Sequence, residues 1–167
     1  VSYFGNEIYG SLLTRKEVIN RLLSNYFPYH NALKSIIKKV KKKHDTVLIL
    51  DFHSMPSRFL NRNVDIIVGN NYNLSSNKIL SSKLINYLDY YNYSSCINEP
   101  YSGGYITRFY GKPTEGINVL QIEINRSLYM NEETLEIQND KLIDLSSNIN
   151  LIIKSLIQDI NNYNQVQ

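Results

Sequence analysis

The stretch LILDFHSMPSRF, from Leu48 to Phe59, sets Asp51 and His53 two residues apart at the end of an apolar run. In an extended chain that spacing puts both side chains on one face. A neutral imidazole beside a carboxylate is a common way to hold a divalent metal, with the carboxylate fixing the tautomer of the ring. The plainer alternative is a histidine that closes a buried strand and hydrogen-bonds to the sheet, and spacing leaves both open. Glu123, within VLQIEI, is the second candidate, because an ionised side chain facing an apolar layer is costly unless it is paired or faces a cleft. It is either a base able to activate water or half of a buried ion pair with Arg126 or Arg108. The third candidate is YSGGYITRFYG, where Gly103 and Gly104 let backbone amides approach a ligand and Arg108 follows at short range. That combination suits a carboxylate, but it suits equally a hairpin whose glycines need positive φ, with Arg108 in solvent. His30, at a helix break, and His44, beside lysines, are not assigned to a metal.

These residues need elements to position them. TVLILDF is short, apolar and rich in branched residues, which predicts a strand buried on both faces of a sheet, with His53 at its carboxyl edge. VDIIVG from Val64 reads as a second strand, and the first half of INVLQIEINRSLYM as a third. Thr14 followed by Glu17 is a capping-box signature, and Val18, Leu22 and Leu23 give the helix beyond it an apolar face. FPYH is expected to interrupt that helix at Pro28, after which Leu33, Ile36, Ile37 and Val40 recur at helical spacing. Ser76 through Tyr90 predicts another helix, and Leu142 through Ile160 a long terminal one that ends in a polar tail. The segment NEPYSGGYITRFYGKPTEG is expected to be largely loop. Strands interleaved with helices define an α/β chain with a central sheet, and in such sheets ligands bind outside the carboxyl ends of the strands.

With 167 residues, 43% of them hydrophobic and 20% charged, the chain is sized and composed for one domain spanning residues 1–167. A net charge of +3 is too small to argue for nucleic acid. The run Lys38, Lys39, Lys41, Lys42, Lys43 reads as a helix end whose cations complement the helix dipole. The 14 tyrosines are not interleaved with a basic stripe and read as packing and surface residues rather than a stacking platform. A single cysteine, Cys96, excludes an internal disulfide and a multi-thiolate metal site, so the cytoplasm is the default compartment. VSYFGNEIYG lacks the charged and apolar regions of a signal peptide, and no apolar run is long enough to span a bilayer, which argues against a membrane partner.

Taken together, YFPYH, DFHSMPS, VDIIVG, EPYSGGYITRFYGKPTEG and INVLQIEINRSLYMNEET resemble, in order and at similar spacing, the N-formylglutamate amidohydrolase (N-formylglutamate deformylase) family. The resemblance runs from about Tyr26 to Thr134. It implies a mixed sheet flanked by helices, akin to zinc carboxypeptidases, and hydrolysis of N-formyl-glutamate to formate and glutamate in histidine breakdown. By position, His53 is similar to a zinc-ligating histidine of the family, Glu123 to its general base, and Asp51 to a residue that orients the ligand shell. Arg108 and Arg126, with the Gly103 and Gly104 amides, are similar to anchors for the substrate's carboxylates and the developing oxyanion. Asn118 stands where the family often has histidine. The family usually begins with a histidine-glycine segment that helps complete the metal site, and no counterpart precedes Gly10, so the domain is expected to be N-terminally incomplete. The alternative function is then a non-catalytic remnant that binds carboxylates.

Overall fold

A computed structural model of the chain describes residues 5–57 and 64–164. The chain divides into two compact units, Val1–His44 and Asp45–Gln167.

In the first unit, α1 (Arg15–Arg21) opens on the expected capping box. The Thr14 hydroxyl accepts the Glu17 N–H at 3.3 Å, and the Glu17 carboxylate accepts the Thr14 N–H at 2.8 Å. The expected break at Pro28 does not occur: a single π-helical turn, Leu22–Tyr26, leads directly into α2 (Phe27–Lys41). Proline lacks an N–H and its ring crowds the carbonyl four residues back. The wide turn just ahead of it, in which the Phe27 N–H reaches back to the Leu22 carbonyl, absorbs that misfit. His30 is buried against Tyr26 and Tyr29, with ring centroids 4.1 and 5.1 Å away.

The second unit is built on a mixed four-stranded sheet: β1 (Val47–Met55), β2 (Ile66–Gly69), β3 (Ser95–Ile97) and β4 (Ile117–Asn125), in the order β1-β4-β2-β3. β1 runs parallel to β4, β4 antiparallel to β2, and β2 parallel to β3. Three helices complete the unit: α3 (Lys78–Tyr90), α4 (Tyr105–Tyr110) and α5 (Asn139–Asn164). Alternation along the strands divides the sheet into two chemically different faces. One carries Leu48 and Leu50, Ile66 and Val68, and Leu120, Ile122 and Ile124, packed against Leu84 and Leu88 of α3 and Ile152 and Leu156 of α5. The other carries Asp51, His53, Gln121 and Glu123, beside a small apolar cluster of Met55, Val64 and Ile67 with Cys96 and Tyr101.

Three expectations are corrected here. β1 is not buried on both faces: among the described residues it pairs only with β4, and Phe52, His53 and Ser54 are exposed. β3 was not expected, because three residues in a polar tyrosine- and asparagine-rich stretch carry no periodic signal. The glycine- and proline-rich segment holds α4 and a 3-10 turn at Pro113–Glu115, and α4 is fixed by burying Thr107 and Tyr110 rather than by a side-chain cap. Asn118 sits near the start of β4, where its Oδ1 accepts the Asn77 N–H at 2.8 Å and so holds the residue that caps α3. No helix among the described residues is long and apolar enough to cross a membrane.

Candidate functional site

β1 and β4 deliver the site. Their parallel register sets Asp51 opposite Gln121 and His53 opposite Glu123, so four polar side chains form a block at the carboxyl end of both strands. His53 Nε2 lies 3.2 Å from Asp51 Oδ2, with the imidazole 47% exposed and the carboxylate 19%. The ring is therefore open to solvent on the strand edge and held by its own strand, as the i, i+2 spacing predicts. Glu123 is only 7% exposed, between His53 on β1 and Ile67 on β2. Burial holds its carboxyl above the usual carboxylate range and Asp51 adds to that, while His53, the hydrogen bond from Gln121 and Arg126 pull the other way.

Arg126 follows β4 in a 3-10 turn, where its Nε donates to Ser54 Oγ at 3.2 Å and its charge reaches Glu123. Asp51, His53, Glu123 and Arg126 therefore form one constellation. Arg108 is placed differently: it is exposed on the last turn of α4, and its Nε donates to the Gly104 carbonyl at 3.3 Å. Gly103 takes a φ of +123°, but in a turn leading into a helix rather than in a hairpin, and a Cβ there would lie 2.6 Å from Thr107 Cγ2. The Gly104 N–H is already donated to Gln121 Oε1 at 2.6 Å, so in this arrangement it does not face a ligand.

Two contributors were not singled out in the sequence. Gln121 was hidden inside an apolar strand motif whose only conspicuous residue was the glutamate. Ser57, just past β1, donates its N–H to both Glu132 oxygens at 3.2 and 3.0 Å and its hydroxyl to one of them, which ties the strand's exit to the segment after β4. Nothing in the local sequence of either residue signals that pairing.

Catalytic zinc takes three protein donors and a water. Among the described residues no group of three or more His, Cys, Asp or Glu side chains is placed to hold a metal ion. Asp51 holds the His53 ring, and His53 on its own does not make up a complete zinc centre.

The mixed sheet is thus packed by helices on one face and bears a buried carboxylate and an imidazole on the other, with an arginine on the turn that follows β4. The protein-family model described as N-formylglutamate amidohydrolase matches residues 2–130, and the chain belongs to that family. Among curated proteins it is 29% identical over 136 residues to N-formylglutamate deformylase of Pseudomonas putida, covering 78% of this chain and 50% of that one. It is 28% identical over 129 residues to the deformylase of Pseudomonas aeruginosa, covering 74% and 48%. The chain thus spans about half the length of the curated relatives it matches. The crystal structure of N-formylglutamate amidohydrolase from Ralstonia eutropha JMP134 superposes with a TM-score of 0.84 at 28% identity, over 97% of this chain and 59% of that one. A gene product of Agrobacterium tumefaciens shares the fold, with a TM-score of 0.65 at 17% identity over 89% and 57% of the two chains.

Proposed function

We propose that this chain carries the base-bearing part of a site that hydrolyses N-formyl-L-glutamate to formate and L-glutamate. The observation that supports this reading most is Glu123: a carboxylate buried at the carboxyl end of β4, raised in pKa and set beside His53 and Asp51 on the sheet face opposite α3 and α5. A carboxyl pushed up by burial is suited to taking a proton and giving it back. In the proposed reaction Glu123 removes a proton from water as the water oxygen bonds to the formyl carbon. The same proton then passes to the amide nitrogen as the C–N bond breaks, leaving formate and the free amine. Arg126 and Arg108 would take the two carboxylates of the substrate, and Asp51 would hold the His53 ring. The same reading takes His53 as this chain's contribution to a zinc site, the sheet as akin to that of zinc carboxypeptidases, the reaction as a step in histidine breakdown, and the cytoplasm as its compartment.

The test is formate release from N-formyl-L-glutamate by the chain expressed with any coding sequence that precedes residue 1 in its gene, with zinc content measured in parallel. Glu123→Gln should leave bound zinc unchanged and lower kcat by roughly 10²–10⁴-fold, the usual worth of general-base assistance. Near-normal turnover by that variant would assign the water activation to another group.

The want of a three-donor cluster among the described residues favours a second reading for the chain by itself, a carboxylate-binding protein without catalysis. Purified alone and dialysed against zinc, it should retain well under one ion per chain and release no formate. One zinc per chain with clear turnover overturns that reading.

A further inference from the structure

We infer that Gln121 is a positioning residue that sets the spacing between the base Glu123 and the cationic anchor Arg108, an inference that rests on the hydrolytic reading above. The orientation of its amide follows from the chemistry of its neighbours. The Gly104 N–H can only donate, so the atom 2.6 Å from it must be Oε1. Nε2 then faces Glu123 Oε1 at 2.9 Å, and an ionised carboxylate can only accept. A flipped amide would set two donors together at one end and two acceptors at the other. Gln121 is buried, so its amide is largely shielded from water.

The connection continues beyond Gly104, whose carbonyl accepts both the Arg108 N–H at 3.2 Å and the Arg108 Nε–H at 3.3 Å. Glu123, Gln121, Gly104 and the Arg108 guanidinium therefore form one continuous hydrogen-bonded path from β4 to α4. Two consequences follow for the proposed chemistry. Glu123 Oε1 is committed to Gln121, which leaves Oε2 to take the proton. The anchor's position is referred to the base through a single planar amide, so a substrate carboxylate held by Arg108 is presented at a fixed distance from that oxygen. An apolar side chain at 121 would leave a part-buried N–H and a buried carboxylate oxygen without this partner, and asparagine is one methylene too short to reach both.

The experiment is amide hydrogen exchange by NMR on the chain itself. Gly104 is compared with Val119, a fully buried residue whose N–H is bonded to the Ser75 carbonyl at 2.8 Å and which makes no contact with the path. Gln121→Met and Gln121→Asn should each speed Gly104 exchange roughly tenfold relative to Val119, the loss expected for one hydrogen bond. Glu123→Leu, which removes the far end of the path without touching Gly104, should speed it as well, while Glu123→Gln keeps an acceptor oxygen and should preserve protection. A merely space-filling Gln121 would respond to neither Glu123 variant. Unchanged Gly104 protection in both Gln121 variants overturns the inference. A final arm titrates N-formyl-L-glutamate into the wild-type chain while observing the Arg108 Nε–H. A shift there that is lost in Gln121→Met supports the inference. No shift, with the Gly104 responses as expected, overturns Arg108 as the anchor in the hydrolytic reading and leaves the hydrogen-bonded path intact.

Discussion

Gly69 tests how tightly the Ser102–Gly104 turn is held over the sheet. It ends β2 directly opposite Gln121, and a Cβ built on it would lie 2.8 Å from Gly103 N and Ser102 C and 3.0 Å from Ser102 O. All three are backbone atoms, so no side chain can swing away. Ordinary contact lies near ~3.5 Å, and Gly69→Ala should push turn and strand apart by roughly 0.7 Å. The Gly104–Gln121 bond, now 2.6 Å, and the Asn71 N–H bond to Ser102 O, now 2.7 Å, would both stretch towards the outer limit of hydrogen bonding. The expected destabilisation is that of an overpacked core position, about 1–3 kcal/mol. Urea denaturation read by circular dichroism measures it as a lower midpoint at unchanged slope, and Gly104 amide exchange should quicken with it. Gly10→Ala is the control, because a Cβ there meets nothing within 4 Å. A wild-type midpoint and wild-type Gly104 exchange in Gly69→Ala would refute the claim that close backbone approach holds this turn.

Three further outcomes follow from the packing and charge of the second unit. Because the folded-state pKa of Glu123 is raised, the native chain binds that proton more tightly than the unfolded chain, so its burial costs stability as pH rises above the ordinary value of 4.5. Glu123→Gln should therefore raise the urea midpoint at pH 7, by an amount that shrinks as pH is lowered to 4.5. Equal gains at both pH values would contradict this. Asp159 is shifted the other way, its carboxyl held below the usual range by hydrogen bonds from Lys83 and Tyr87, so its contribution is present above pH 3.8 and lost as pH falls through its folded value. With both partners part-exposed, Asp159→Asn should cost under about 1 kcal/mol at pH 7 and progressively less in acid, measured by the same titrations. Leu156, fully buried where α5 meets the sheet, should cost about 2–5 kcal/mol when cut to alanine, and a smaller loss would mean that α5 packs loosely.

What the sequence made legible was whatever is encoded by local periodicity or by a costly exception to it. β1, β2, β4, α3 and α5 announce themselves as apolar runs or helical stripes, and the Thr14–Glu17 box marks α1. Glu123 stood out because a charge inside VLQIEI needs a reason, and the i, i+2 pair Asp51 and His53 falls on one face by strand geometry alone. What stayed hidden depends on partners distant in the chain. β3 is a strand only because β2 pairs with it. α4 is helical because Thr107 and Tyr110 are buried, although its glycine-rich start reads as loop. β1 looks like an interior strand from its residues, yet its place at the edge is set by strand order, which no local pattern encodes. Gln121 gives no signal because a glutamine becomes important only once Gly104 and Glu123 are known to flank it. The asparagines were legible only as scattered. Asn70 and Asn98 in fact bond to each other, at 2.9 Å from the Asn70 N–H and 2.8 Å from the Asn98 amide, in a buried network.

The chemistry of the site follows from where β4 lies. It is flanked by a parallel partner, β1, and an antiparallel one, β2, so each of its site-facing residues meets a different environment on either side. Glu123 has His53 on one side and Ile67, which is fully buried, on the other. Burial is what lifts the carboxyl most, and His53 stands among the groups that oppose the lift. Gln121 has Asp51 on one side and Gly69 on the other, and only a residue without a side chain leaves room there for the turn that Gln121 must reach. A slip of one residue between β4 and β2 would exchange the faces, turning Glu123 into the layer occupied by Ile122 and Leu120 and presenting apolar side chains to the open face. The apolar packing of α3 and α5 against Leu120, Ile122 and Ile124 forbids that slip. The hydrophobic face is thus what places the carboxylate, the amide and the imidazole in register on the other.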